Sequence, residues 1–264
     1  MRGAGVLELN NISMSFSQGI VNRTTKPVLD GVSVSVDRGE VLGLMGDSGS
    51  GKTTLAKIAV RLINPDSGTV VLDGEDITKY NFRKMSSYRS RIQLVFQNPE
   101  GALNPEMTLG DSLREAVYKS RIRSMGITNA VDHLCTELGI KKELLTRYPS
   151  QVSGGEIQRI ALSRVLAMQP DYLLLDEPTS MLDASVQAYI LSVLREHQRK
   201  HGTGIVLITH DLDIIRSVCD RVAVIDKGKL IGYGGISEVL DDSDNDYIRR
   251  YTENWHALGE LTPY

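Results

Sequence analysis

The loop Gly46-Asp-Ser-Gly-Ser-Gly-Lys-Thr53 constrains this chain more than any other feature, because it fits the pattern G-x-x-x-x-G-K-[ST]. The segment Glu40–Met45 before it predicts a buried strand, and Lys52–Ile63 predicts a helix. Glycines let the backbone turn its N–H groups inward, and the positive helix end adds to the attraction for an anion. The motif therefore predicts a cradle for nucleotide phosphates, with Lys52 on the β- and γ-phosphates and the Thr53 hydroxyl on Mg²⁺. The candidate nucleotide-binding residues here are Gly46, Asp47, Ser48, Gly49, Ser50, Gly51, Lys52, Thr53 and Thr54.

The composition excludes several other classes of protein. The 264 residues carry 30 basic and 33 acidic side chains, a net charge of −3, so nothing favours the wrapping of nucleic acid. No apolar run reaches the roughly 18 residues that a membrane span needs, and no apolar leader marks the chain for secretion. The two cysteines, Cys135 and Cys219, have no metal-binding spacing, which favours a reducing compartment.

Strand and helix patterns alternate in the second half of the chain. Short apolar runs predict strands at 172–175, 205–208 and 222–225, with helices near 184–200 and 211–219. This alternation predicts an α/β fold with a mostly parallel sheet, whose active groups lie at the carboxyl ends of the strands.

The first half of the chain has two further patterns. Apolar and polar residues alternate over Val6–Phe16 and Val28–Val36, which predicts half-buried strands. From Tyr80 to Pro170 the pattern is mostly helical, apart from a strand at Ile92–Phe96. The pattern therefore predicts one globular unit with a helical insertion.

Two carboxylates end the apolar run Tyr172-Leu-Leu-Leu-Asp176-Glu177. Asp176 at the strand tip is placed to hold Mg²⁺ through water, and Glu177 is the natural general base for an attacking water. The alternative is that both acids begin a solvent-facing turn before Pro178. The phosphate loop upstream favours the catalytic interpretation.

A second candidate anion site lies at Val152-Ser-Gly-Gly-Glu156, at the head of a predicted amphipathic helix. The alternative is an ordinary helix cap, in which Ser153 only satisfies the first backbone N–H groups. One ATP needs one phosphate cradle, so a second cradle formed by Ser153, Gly154 and Gly155 suggests that two chains share each nucleotide.

With these motifs in this order, the chain resembles the ATP-binding cassette (ABC) family over nearly its whole length. The resemblance implies seven functional elements, namely the adenine-stacking aromatic Phe16, the Walker A loop Gly46–Thr53, the Q-loop Gln97, the signature Ser153–Glu156, Walker B at Tyr172–Glu177, the D-loop Ser180–Asp183 and the switch His210. It gives Gln97 a contact with Mg²⁺ and the attacking water, Asp183 a place beside the nucleotide, and His210 the role of sensing the γ-phosphate.

Several of these assignments have alternatives. Phe16 on an alternating strand, and His210 after an apolar one, are also compatible with core packing. Val152 and Glu156 stand where the family usually has Leu and Gln. The carboxylate of Glu156 suits the helix dipole but adds negative charge near the expected phosphate.

The family resemblance also implies the fold and its divisions. We expect a P-loop NTPase (RecA-like) core with a mostly parallel sheet, an N-terminal antiparallel β subdomain and a helical ABC subdomain. The expected limits within one 1–264 ABC ATPase domain are a core at about 1–97 and 170–240, a helical subdomain at about 98–169 and a short helical tail at 241–264.

Features that the chain lacks exclude several branches of the family, and a few longer stretches favour one of the remaining branches. It has no long coiled coil, no second cassette and no fused membrane span, which leaves a detached ATPase subunit. Val95–Thr108 and Leu182–Ala188, with the extra loop at 17–27, resemble the oligopeptide, dipeptide and nickel importers. Tyr247-Ile-Arg-Arg resembles the "PYT" stretch of that group, with Asp246 in place of Pro. The C-terminal cysteines of longer members are absent, so no iron–sulfur site is expected.

The implied function is an Mg²⁺-dependent ATPase that powers an importer of the peptide/nickel type, with ATP and Mg²⁺ as cofactors. The implied partners are integral-membrane permease subunits, a second ABC ATPase chain (identical or similar) and, indirectly, an extracytoplasmic binding protein. The expected location is the cytoplasmic face of the cell membrane, as a peripheral protein without nucleic acid. A phosphonate-pathway component, a soluble clamp and a cassette that binds ATP without hydrolysis are the alternatives. The transported substrate stays open.

Overall fold

The computed structural model describes residues 5–18, 24–179 and 182–261. Its strands are β1 (Val6–Gln18), β2 (Thr24–Asp37), β3 (Val41–Met45), β4 (Ser67–Leu72), β5 (Glu75–Asp76), β6 (Ile92–Val95), β7 (Tyr172–Asp176), β8 (Gly204–Ile208), β9 (Arg221–Asp226) and β10 (Lys229–Gly235). Its α-helices are α1 (Lys52–Ala59), α2 (Phe82–Met85), α3 (Leu109–Tyr118), α4 (Ile127–Glu137), α5 (Gly154–Leu166), α6 (Ala184–His201), α7 (Leu212–Val218), α8 (Ile236–Leu240) and α9 (Asp246–Leu261).

The chain divides into two compact units. The first unit comprises Met1–Tyr80 and Gly204–Tyr264, and the second unit comprises Asn81–Thr203. Residues 19–23 of the predicted extra loop, and Ser180 and Met181 of the predicted D-loop, lie outside the described residues.

One sheet of the first unit is antiparallel, in the order β2-β1-β4-β5. The alternation of β1 places Leu7 and Leu9 in the core, because successive side chains of a strand point to opposite faces. A register shift between Leu9 and Ile12 then brings Ile12 to the same face. The predicted N-terminal strands are therefore confirmed, and β1 pairs antiparallel with both β2 and β4.

The second sheet of the first unit is built around β3, which is parallel to both β8 and β9. All residues of β3 and β8 are buried, as expected for parallel strands that read as continuous apolar runs. The edge strand β10 pairs antiparallel with β9 and was absent from the sequence prediction. Its glycines at 232, 234 and 235 weaken the strand pattern, since glycine is depleted in strands.

The helices of the first unit include one departure from the sequence prediction, at the end of α1. Helix α1 begins at Lys52 as predicted but ends at Ala59 rather than at Ile63, because the chain turns to a left-handed conformation at Arg61. The tail forms α8 and then α9. The side chain of Asn245 caps the start of α9, because it accepts hydrogen bonds from the N–H groups of Tyr247 (2.9 Å) and Ile248 (3.4 Å).

The second unit is mostly helical, as predicted, and carries one parallel strand pair. Strands β6 and β7 pair in the register Ile92↔Tyr172 to Val95↔Leu175. Helix α3 buries Leu109, Leu113 and Val117 at the spacing expected of an amphipathic helix. Within the described parts of both units, no helix is long and apolar enough to cross a membrane.

Candidate nucleotide-binding site

Two glycines set the shape of the phosphate loop. Gly46 has φ +141°, and an added Cβ would lie 2.0 Å from the carbonyl oxygen of Ile225. Gly51 has φ +110°, and its Cβ would lie 2.8 Å from the carbonyl oxygen of Val28. Both contacts are with backbone that cannot move aside, so only glycine fits at either end of the loop.

Lys52 is folded into this loop. Its side chain is buried, and its ammonium donates to the carbonyl oxygens of Gly46 (2.7 Å) and Asp47 (2.8 Å). Asp47, Ser48 and Gly49 are exposed, whereas Ser50 is buried beside the ammonium. The first turn of α1 holds no acidic residue. An anion over the exposed part of the loop therefore meets a buried positive charge and the positive end of a helix.

His210 lies at the same sheet edge as the phosphate loop. Leu44 on β3 pairs with Ile208 on β8. Gly46 lies two residues after Leu44, and His210 lies two residues after Ile208. The strands are parallel, and their carboxyl ends therefore meet at one edge. The backbone N–H of Thr209 donates to the carbonyl oxygen of Leu44 over 3.4 Å. His210 itself is exposed, which contradicts the alternative of a core histidine.

Gln97 and Glu177 likewise follow the ends of two paired parallel strands, here in the second unit. Val95 on β6 pairs with Leu175 on β7, and the two polar residues each follow two positions later. Gln97 Nε2 donates to Glu177 Oε2 over 2.7 Å. Asp176 is buried at the end of β7.

Glu177 also has an unusual backbone. Its φ is +48°, a left-handed conformation that is uncommon for a residue other than glycine. Strained backbone of this kind clusters at functional sites, where the surrounding structure holds it. The paired strand ends and the strained turn support a positioned carboxylate rather than a plain surface turn.

Ser153 begins helix α5 within a reciprocal capping arrangement. Its Oγ accepts from the N–H of Glu156 (3.4 Å), while Glu156 Oε2 accepts from the N–H (2.8 Å) and the hydroxyl (2.9 Å) of Ser153. These hydrogen bonds from Ser153 hold the pKa of the Glu156 carboxyl below its ordinary value. The helix-cap interpretation of Ser153 is therefore confirmed as a description of this helix start.

Gly155 and Asp183 lie near each other in the chain's own packing. An added Cβ at Gly155 would lie 2.9 Å from Leu182 Cδ2, next to Asp183. Asp183 begins α6, and its Oδ1 accepts from Ser185 Oγ (2.6 Å) and from the N–H of Val186 (3.0 Å). These hydrogen bonds lower the pKa of the exposed Asp183 carboxyl.

Phe16 lies on β1 opposite Lys26 and is 42% exposed, so it is not a core residue. Its partly exposed ring is of the aromatic type that base stacking needs. Tyr251 was missed in the sequence analysis, although its hydroxyl donates to the carbonyl oxygen of His210 over 2.7 Å. The only sequence signal for it was its place four residues after Tyr247, in the stretch that resembles "PYT".

The residues predicted to hold Mg²⁺ offer oxygen atoms, the ligands that this cation prefers. They are the hydroxyl of Thr53, exposed on the first turn of α1, the side-chain oxygen of Gln97 and the carboxylate of Asp176. The amide nitrogen of Gln97 donates to Glu177, so the oxygen of the same amide is the atom that suits a cation. The donor chemistry therefore fits Mg²⁺.

Comparison with known proteins gives the family to which the sequence is similar. The sequence profile of a family described as "ABC transporter" matches residues 29–180. The oligopeptide transport ATP-binding protein OppF of Streptococcus mutans is 36% identical over 246 residues, which are 92% of this chain and 79% of that protein. A putative peptide import ATP-binding protein of Brucella ovis is 36% identical over 231 residues, 85% of this chain and 71% of that protein.

Solved structures of similar proteins share the fold. A dimeric post-hydrolysis state of the ATP-binding cassette MJ0796, bound to ADP and Pi, superposes with a TM-score of 0.79 at 25% identity, covering 87% of this chain and 98% of that one. An ATP-binding subunit of an ABC transporter superposes with a TM-score of 0.74 at 26% identity, covering 88% and 91%. The chain therefore belongs to the ATP-binding cassette transporter family and has its P-loop NTPase fold.

Proposed function

We propose that this chain is the Mg²⁺-dependent ATPase subunit of an importer of the peptide/nickel type, with peptides as the favoured cargo. The observation that carries the proposal is the 2.7 Å hydrogen bond between Gln97 and Glu177, which joins two candidate catalytic groups at the ends of paired strands. The relatives described as oligopeptide transport and peptide import ATP-binding proteins support the choice of cargo.

Binding and hydrolysis are assigned to separate groups. The ring of Phe16 stacks on the adenine, and the N–H groups of the Gly46–Thr53 loop with Lys52 hold the phosphates. Thr53, Gln97 and Asp176 would hold Mg²⁺, which would supply positive charge to offset that of the ATP phosphates. Glu177 accepts a proton from the attacking water, while Gln97 keeps that carboxylate oriented.

A second chain completes the proposed site. Ser153 and Gly155 of one cassette contact the γ-phosphate held by Lys52 of the other, and Asp183 lies at the same interface. ATP drives closure because it binds the closed pair more tightly than the open one. Loss of the γ-phosphate removes the contacts of Ser153 and His210, so the pair reopens.

The second unit offers a surface for the membrane subunits. A cavity of about 250 Å³ lies against strand β6, which ends at Val95, two residues before Gln97. Its apolar lining suits a short amphipathic segment of a permease, with Glu115, Lys119 and Arg164 as charged contacts. The apolar lining residues include Phe96, Pro99, Ala102, Ala116, Val165 and Met168. Docking there places the chain at the cytoplasmic face of the membrane and lets Gln97 couple nucleotide state to transport.

The proposal is tested by uptake and hydrolysis together. In a strain that lacks this chain, we expect uptake of labelled oligopeptides to be lost and wild-type chain to restore it. Lys52→Ala should restore neither uptake nor hydrolysis, whereas Lys57→Ala in the last turn of the same helix should restore both. Normal peptide uptake in the deletion strain, with loss of nickel or phosphonate uptake, would identify another cargo. Hydrolysis without loss of any uptake would favour the soluble clamp.

A further inference from the structure

We propose that helix α9 is a tail brace, which positions the phosphate loop through Tyr247 and the His210 loop through Tyr251. The inference rests on the proposed ATPase function and adds two positioning residues to it. All of the contacts involved lie within the first unit.

Apolar packing and a helix cap hold the tail brace in place. Ile248 is buried, and its Cδ1 lies 2.7 Å from the position that a Cβ on Gly232 of β10 would occupy. Gly232 therefore allows the helix to approach the sheet edge closely. Thr252, one turn later, is also buried, and Asn245 caps the first turn. This packing fixes the rotation of the helix about its axis.

That rotation points two tyrosines towards the carboxyl ends of the strands. Tyr247 and Tyr251 are four residues apart on one helix face, with ring centroids separated by 6.2 Å. Together with Asp47, Asp226, Lys227 and Arg250 they line an open cleft. The tyrosines therefore reach across from α9 to the loops that follow β3 and β8.

Tyr251 acts on the loop that carries the switch histidine. Its hydroxyl donates to the carbonyl oxygen of His210 over 2.7 Å. The same loop is held on its other side, because the N–H of Asp211 donates to Thr209 Oγ1 over 3.1 Å. The Tyr251 bond holds the peptide plane after His210, and so constrains the backbone from which the imidazole projects. Burial and the carboxylates of Asp47 and Asp211 raise the pKa of Tyr251, so the hydroxyl keeps its proton and stays a donor.

Tyr247 acts on the phosphate loop. Its hydroxyl is buried, faces the Asp47 carboxylate and has no well-formed hydrogen bond among the described residues. Burial and the neighbouring Asp47 raise the pKa of Tyr247 strongly, so the phenol remains neutral beside that carboxylate. A buried donor without a partner favours whichever loop conformation brings an acceptor to it. The acceptor within reach is Asp47, whose own carbonyl oxygen receives the Lys52 ammonium.

The two contacts predict different kinetic effects, which a general loss of stability does not produce. Tyr251→Phe removes only the hydroxyl, and we expect kcat to fall about three- to tenfold with ATP affinity unchanged, since one hydrogen bond orients His210. Tyr247→Phe is expected to raise the Kd for ATP about three- to tenfold with kcat unchanged. A non-additive effect of Asp47→Asn and Tyr247→Phe on Kd would show that the two residues act through each other.

Tyr233→Phe is the matched control. Its hydroxyl also donates to a backbone carbonyl, that of Ser35 over 3.0 Å, but contacts neither loop. We expect this variant to keep wild-type kcat and Kd. An unchanged kcat in Tyr251→Phe, an unchanged Kd in Tyr247→Phe, or equal changes of kcat and Kd in all three variants would each overturn the tail brace. If the wild-type chain binds ATP without turnover, the proposed function fails, and an unchanged Kd in Tyr247→Phe would still overturn the brace by itself.

Discussion

At the scale of single residues, the carboxylate of Glu177 is the proposed general base for hydrolysis. It combines a left-handed backbone, a hydrogen bond from Gln97 and a place at the end of a buried strand. Each of these features fixes its direction, and a general base needs a fixed direction to accept the proton of an attacking water.

Glu177→Gln is expected to lower turnover by about 10²- to 10⁴-fold, since a positioned general base contributes that much. ATP binding should persist, because the change removes neither the loop amides nor Lys52. Phosphate release and calorimetric titration measure the two quantities. Glu100→Gln, an exposed glutamate of the same unit, serves as control and should hydrolyse ATP normally. Turnover in Glu177→Gln within tenfold of wild type would assign the base to another group.

Glu156 supports the start of α5, and its contribution should depend on pH. The folded-state pKa is held down by hydrogen bonds from Ser153, so the stabilisation exists above the unfolded pKa of about 4.3 and is lost as pH falls below it. At neutral pH, Glu156→Ala should lower the free energy of unfolding by about 0.5 kcal/mol, measured by urea unfolding. The difference from wild type should shrink near pH 4. An equal difference at both pH values would mean that the carboxylate charge has no part in the cap.

At the scale of elements, helix α6 buries a histidine that the proposed mechanism does not use. His197 is 3% exposed, and burial, with the nearby His201 and Lys200, lowers its pKa to about 3. The ring is therefore neutral in the folded chain, while the unfolded chain takes up its proton near pH 6.5. A group with a depressed cationic pKa costs stability as pH falls from the unfolded value towards the folded one.

From this shift we expect the free energy of unfolding to drop by roughly 1 kcal/mol between about pH 7.5 and about pH 5.5 because of His197 alone. His197→Leu should remove this part of the pH dependence, whatever its effect on stability at neutral pH. His133→Leu, an exposed histidine of the same unit, should retain it. Urea unfolding at the two pH values measures the slope, and an unchanged slope in His197→Leu would contradict the prediction.

The elements also show what can be predicted from sequence. The loop Gly46–Thr53 and the ends of β6, β7 and β8 could be predicted, because a motif and an apolar run each have a local signal. The strand β10 could not be predicted, because its glycines weaken the strand pattern. The early end of α1 could not be predicted either, because it depends on the left-handed conformation of one residue, Arg61. The contact of Tyr251 with His210 joins residues 41 positions apart, which only tertiary packing determines.

At the scale of the whole molecule, one chain is half of the proposed enzyme. Ser153 and Lys52 both belong to predicted anion cradles. In the folded chain Ser153 caps a helix start, and Lys52 donates to loop carbonyls. The proposed role of Ser153 towards γ-phosphate is in the site of a partner chain. Similarity to a dimeric cassette bound to ADP and Pi supports such a pair.

The most direct test mixes two inactive variants, Ser153→Arg and Lys52→Ala, and measures ATP hydrolysis at a concentration where pairs form. Each mixed pair holds one intact site, built from Lys52 of the first variant and Ser153 of the second. Random pairing makes half of the pairs mixed, and each mixed pair has one of its two sites intact. We therefore expect recovery to about a quarter of wild-type turnover, with neither variant active alone. No recovery in a mixture shown to contain mixed pairs, or full hydrolysis by Ser153→Arg as a monomer, would contradict it.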